Sequence, residues 1–97
     1  MQNFRNESLS HLAKALLALE TEEECLALLD DLCTVKELQD MSQRFETAVL
    51  LSEGKNYIQI AEAAGTSSAT ISRVNRCLQY GSGGYAKAIQ KLKDGKQ

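Results

Sequence analysis

Apolar residues recur along this chain at helical spacing, and the pattern is interrupted only where capping residues and glycines stand. Leu9, Leu12, Leu16 and Leu19 follow one another at steps of three and four, which places them in one stripe of a helix from about Glu7 to Leu19. Thr21 followed by Glu24 has the form of a capping box and opens a second helix, striped by Cys25, Leu28, Leu29 and Leu32. Thr34 and Glu37 repeat the device. The third helix they open runs to about Glu53, turns Leu38, Met41, Phe45, Val49 and Leu51 inward, and is stopped by Gly54.

Beyond Gly54 the segments shorten. Asn56 is placed to cap a brief helix through Ala64, Gly65 breaks it, and the hydroxyls of Thr66 to Ser68 offer caps for a helix from about Ser68 to Tyr80. Gly81, Gly83 and Gly84 then make a flexible break before a last basic amphipathic helix, Tyr85 to Lys93, with Ala88, Ile89 and Leu92 on its inner side. The tail, residues 94 to 97, is expected to fray. No repeat of solenoid period and no linker divides the sequence. The expected architecture is one all-α domain over residues 1–97 with about six helices: a scaffold over about 7–53, a short helix pair over 57–76 and a C-terminal helix over 85–93.

Composition supports that picture. Proline is absent, and 97 residues with 43% hydrophobic and 25% charged content suit one globular module. So short a chain buries a modest core, so a partner subunit would add useful apolar burial. Charge is divided by region: residues 1–53 carry four basic against eleven acidic side chains, or −7, and residues 54–97 carry seven against two, or +5. An acidic scaffold joined to a polyanion-facing module has this asymmetry, as does a merely solvated surface. Cys25, Cys33 and Cys77 form neither a disulfide framework nor a zinc motif, and His11 stands alone, so these residues read as structural. No catalytic group, metal site or membrane segment is expected, and the expected location is the cytoplasm.

The chemistry concentrates in IAEAAGTSSATISRVNRCL, residues 60 to 78. Ala61 is small where two helices must approach, Gly65 can take the positive φ of a sharp turn, and Ile60, Ala64, Ile71 and Val74 supply a shared apolar contact. The pattern is that of a helix-turn-helix over Tyr57 to Arg76. Its second helix offers Ser68, Ala69, Ser72 and Arg73 near its N-terminus, small and polar groups that fit a major groove without steric conflict. With the capping hydroxyl of Ser67 and the cation of Arg76, the expected DNA-contacting set is Ser67, Ser68, Ala69, Ser72 and Arg76. Helix–glycine–helix pairs also occur in proteins that never meet DNA, and Arg73 and Arg76 are equally at home as solvated charges. A helical dimer that docks another protein is the alternative reading.

SATISRVNRCL, the preceding IAEAAG and the upstream TVKELQDMSQRFETAVLLSEG resemble the bacterial tryptophan repressor, and more closely its YerC/YecD-type relatives, over about residues 8 to 93. The resemblance implies an intertwined all-helical homodimer with two reading heads that bind double-stranded DNA as a transcriptional regulator, a repressor, rather than an enzyme. It matches Ser68, Ala69 and Ser72 to DNA-facing positions, and Thr34, Arg44, Thr70 and Arg73 to positions around the amino-acid corepressor. The match is uneven. Val74 replaces the glycine that lies near the indole ring in the repressor, and Asp31 and Cys33 replace leucines. The expectation is therefore no required cofactor, a polar cationic site with the chemistry for a small carboxylate effector, and no use of tryptophan.

Overall fold

The computed structural model describes residues 5–95, which form six α-helices and no strand: α1 Glu7–Ala18, α2 Glu22–Leu32, α3 Val35–Ser52, α4 Tyr57–Ala64, α5 Ser68–Tyr80 and α6 Gly84–Asp94. Lys96 and Gln97, part of the tail expected to fray, lie outside the described residues, whereas Asp94 still belongs to α6. Among the described residues no helix is long and apolar enough to cross a membrane.

Local chemistry accounts for the helix starts. Thr34 Oγ1 accepts the Glu37 N–H at 3.1 Å while the Glu37 carboxylate accepts the Thr34 N–H at 2.8 Å, a complete capping box. Thr21 Oγ1 accepts from the Glu24 N–H at 3.1 Å, but the Glu24 carboxylate reaches past Thr21 to the Glu20 N–H at 2.7 Å. At the head of α1, Asn6 Oδ1 accepts from the Leu9 N–H at 2.8 Å, a cap that the leucine periodicity did not indicate. Each such cap contributes about 1 kcal/mol. Between α5 and α6, Gly81 is required sterically: a Cβ there would stand 2.5 Å from the Cys77 carbonyl oxygen, whose carbonyl accepts the Gly81 N–H at 2.8 Å.

The helices group into two compact units that meet in sequence between Leu38 and Gln39. In the first, α1 and α2 contain no buried residue; of the expected stripes Leu12, Leu16, Leu19, Cys25, Leu28 and Leu29 are half-buried, whereas Leu9 and Leu32 are exposed. In the second, Ala48 of α3, Val74 of α5 and Ile89 of α6 form a buried cluster, with Phe45, Val49, Leu51 and Tyr85 packed against it.

Three expected inward residues are exposed. Met41 on α3 is 42% exposed and Leu92 on α6 is 62% exposed. Leu92 lies about one turn beyond Ile89, past the reach of the cluster, and Ala88 sits about 100° around the helix from Ile89. Helix α6 is instead anchored through Tyr85 and Ile89, one turn apart.

Candidate nucleic-acid interface

The α4–α5 pair is built from its turn outward. Asn56 and Gln59 cap α4 reciprocally, each bond 2.9 Å long. Gly65 closes the helix at φ +66°, in the left-handed region that a side chain disfavours, and its N–H bonds the Ala61 carbonyl at 3.0 Å. Of the four residues expected to share the apolar contact, Ile60 and Ile71 are both 0% exposed, Ala64 is half-buried, and Val74 is buried in the cluster with Ala48 and Ile89 instead.

Helix α3 holds this turn with two polar side chains one helical turn apart. Gln43 donates from Nε2 to the Gly65 carbonyl at 3.4 Å, and Thr47 Oγ1 lies 3.2 Å from Thr66 Oγ1. Both threonines are buried, yet neither hydroxyl is stranded: Thr47 donates to the Gln43 carbonyl at 2.7 Å and Thr66 bonds the Ala64 carbonyl at 3.3 Å. Thr66, expected only as one of three capping hydroxyls, is therefore the peg that seats the turn on α3. The cap itself is Ser67, whose Oγ accepts the Thr70 N–H at 3.2 Å.

The exposed side of α5 is continuous. With about 100° per residue, Ser68, Ser72, Arg76 and Ala69 fall within an arc of about 100°, while Ile71, Val74 and Leu78 occupy the opposite side. All four of the first group are exposed, and Ile71 and Val74 are buried. Ser67 stands at the mouth of the same helix with its hydroxyl committed to the cap. Tyr57, not singled out from sequence, joins this surface from α4: its hydroxyl lies 3.4 Å from Ser72 Oγ.

Thr70 and Arg73 turn toward α3. Together with Asp40, Gln43 and Arg44 they line a cleft of about 210 Å³ in which every lining residue is polar. The structure thus brings together three of the four expected ligand residues, Arg44, Thr70 and Arg73. Thr34 belongs to the first unit, where its hydroxyl caps α3. Asp40 and Gln43 were missed, although residues 40, 43, 44 and 47 form a polar stripe at helical spacing that the sequence does contain. Val74 does not line the cleft; it is 1% exposed in the buried cluster.

Electrostatically the cleft combines two guanidinium groups with one carboxylate, a surplus of positive charge. Arg44 also acts at a distance on Tyr85. Burial pushes the Tyr85 phenol above its ordinary range, Cys77 adds to that rise, and Arg44 opposes it. A larger groove of about 360 Å³, lined by Ser52, Leu78, Ala86, Ile89, Gln90 and Lys93, lies on the α6 side and is mainly apolar.

Comparison with known proteins places these features among relatives. The family model described as Trp repressor protein matches residues 7–93. The uncharacterized protein YerC of Bacillus subtilis (strain 168) is 43% identical over 94 residues, spanning 97% of this chain and 90% of the relative. The crystal structure of a candidate Trp repressor from Staphylococcus aureus superimposes with a TM-score of 0.87 at 43% identity, covering 92% of this chain and 89% of that one. A TrpR-like protein from Eubacterium eligens ATCC 27750 gives a TM-score of 0.87 at 42% identity, with 92% of each chain covered.

Proposed function

This chain belongs to the Trp repressor family, a family of DNA-binding regulators and not of enzymes, and from that premise we propose that it is a sequence-specific transcriptional repressor acting as a homodimer. The observation that carries the reading is the exposed arc of Ser68, Ala69, Ser72 and Arg76 on a helix whose opposite side is locked by Ile71 and Val74. A rigidly backed helix with small polar groups at its N-terminal end enters a major groove, and Arg76, farther along the helix, meets phosphate. Such a protein works where the chromosome is, in the cytoplasm of a bacterial cell.

A second copy of the chain supports the rest. Leu17, Leu26 and Leu32 are 84%, 50% and 52% exposed, and the apolar groove beside α6 is open. Apolar area of this kind is stabilised by association, at about 25 cal/mol per Å² covered. Two-fold symmetry then gives two reading heads and a roughly palindromic site with half-sites about one helical turn apart, as for other helix-turn-helix repressors, the tryptophan repressor among them.

The experiment is selection of bound duplexes from a random pool, followed by binding measurements on Ser68→Glu and Ser72→Glu. Either glutamate sets a charge against the groove and abolishes specific binding, with folding intact. Arg76→Ala weakens all sequences alike. Specific binding that survives both serine variants would transfer the function to a helical module that docks another protein.

Effector chemistry follows from the cleft. Arg44, Arg73 and Thr70 suit a small carboxylate, but no apolar residue lines the space to receive an indole, and the branched side chain of Val74 fills the core between α3, α5 and α6. Tryptophan is not the corepressor on this reading, and the reading head stands ready without a ligand. Calorimetric titration with tryptophan should give no heat, and DNA binding should be equal with and without it. DNA binding that required added tryptophan would refute this.

A further inference from the structure

We propose that Tyr57, on the first helix of the reading pair, sets the hydrogen-bonding polarity of Ser72 and thereby selects the base-edge acceptors to which Ser72 donates. The inference rests on the DNA-reading function proposed above and adds a specificity-determining residue to it. Tyr57 and Ser72 sit fifteen residues apart on different helices, and their hydroxyl oxygens lie 3.4 Å apart on the exposed surface of the pair.

Tyr57 is held there from its backbone. It is the first residue of α4, within the Asn56 and Gln59 capping box, and Ile60 of α4 and Ile71 of α5 are both fully buried. The residue is 39% exposed, and its hydroxyl lies beside that of Ser72. Ser72 lies in the same exposed arc as Ser68 and Arg76.

Each hydroxyl carries one proton and two lone pairs. A phenol, with a pKa of about 10, is far more acidic than an alkyl alcohol and is the better donor of the two. The proton between the oxygens therefore belongs to Tyr57, and Ser72 Oγ accepts it. With one lone pair engaged by the phenol, the serine's own O–H is left free to donate into the groove and its accepting capacity is halved. Ser72 then reads as a donor. Its partners are base-edge acceptors, N7 and O6 of guanine, N7 of adenine or O4 of thymine, and the N4 amino group of cytosine is disfavoured. The separation is long for an O–H···O bond, so the contact directs the serine without adding much to folding stability.

The test uses the full chain and measures affinity for a selected duplex and for its single-base variants at every position, with wild type, Tyr57→Phe, Ser72→Ala and the double variant. The phenylalanine keeps the ring and removes only the directing proton. At one position in each half-site wild type prefers an acceptor base, and Tyr57→Phe reduces that preference by roughly two- to tenfold, the worth of one hydrogen bond, without moving the thermal midpoint. Ser72→Ala flattens the same position, and adding Tyr57→Phe to it changes nothing more. A uniform loss of affinity across all sequences in Tyr57→Phe would make the tyrosine a phosphate or packing residue and overturn the inference. An unchanged profile, or effects that simply add in the double variant, would do the same while leaving the DNA-binding function standing. Absence of specific binding by wild type would overturn both.

Discussion

The two units of this chain treat their apolar residues in opposite ways. In the second, Ala48, Ile60 and Ile71 are completely buried and Val74 and Ile89 nearly so, and the two buried threonine hydroxyls of Thr47 and Thr66 each have a partner. In the first, α1 and α2 have regular leucine stripes and well-formed caps but bury nothing. Capping and periodicity are local and suffice to define a helix; burial needs something to pack against. The reading pair brings its own backing in the same chain, through α3 and α6. The leucine helices do not, which is why the homodimer belongs to the proposed function rather than being an addition to it.

The sharpest way to break this comparison is to charge the uncovered stripes. Leu16→Glu combined with Leu28→Glu should convert the protein from twice the chain mass to a monomer and abolish DNA binding, since both changes put a carboxylate on half-buried leucine stripes that the proposed homodimer would cover. Light scattering with a binding assay reads both. A double variant that remained a dimer would mean that the stripes are not the assembly surface.

The matching change in the second unit attacks stability and leaves assembly alone. Ile71→Ala empties a site with no exposed surface and should cost about 2–5 kcal/mol in denaturant unfolding, with the mass in solution unchanged. Thr47→Val, close in shape, removes the hydroxyl that pairs with Thr66 and should cost about 0.5–1.5 kcal/mol. The loss stays moderate because Thr66 keeps the Ala64 carbonyl as a partner.

How much of this the sequence contained depends on how local each feature is. The helix bounds were legible to within a residue or two because Thr21, Thr34, Asn56, Ser67 and Gly65 act on their own backbone neighbours. The exposed arc of Ser68, Ala69, Ser72 and Arg76 was legible for the same reason, being fixed by helical geometry once α5 is placed. What required tertiary contact was not. Met41 and Leu92 continue apolar stripes that the chain's own core does not reach, so periodicity alone assigned them inward. Asp40 and Gln43 acquire their place in the cleft only when α5 brings Thr70 and Arg73 alongside. Tyr57 meets Ser72 across the turn, and the interhelical seam of Ile60 and Ile71 does not reveal that contact.

The smallest expected effect concerns titration, and it too separates the units, because a raised phenol occurs within the packed one. Tyr85 lies beside Phe45, ring centroids 6.2 Å apart, and its burial favours the neutral form; Cys77 reinforces this and Arg44 opposes it. A phenol whose folded pKa exceeds its unfolded value holds its proton more tightly when folded. Its contribution to stability is therefore complete below the ordinary tyrosine value of about 10 and declines as pH rises through the raised value. Tyr85→Phe should remove that alkaline decline while leaving the profile below it unchanged in slope. Arg44→Ala should move the phenol further upward, since the guanidinium is the group that favours the phenolate. Because Arg44 also lines the polar cleft, a bound carboxylate that neutralises it should shift the Tyr85 titration in the same direction. Ultraviolet titration of the phenolate, with and without a small carboxylate such as acetate at saturating concentration, reads this in a chain carrying Tyr57→Phe and Tyr80→Phe, where Tyr85 is the one phenol left. A Tyr85 titration indifferent to Arg44→Ala would sever the link between the cleft and α6.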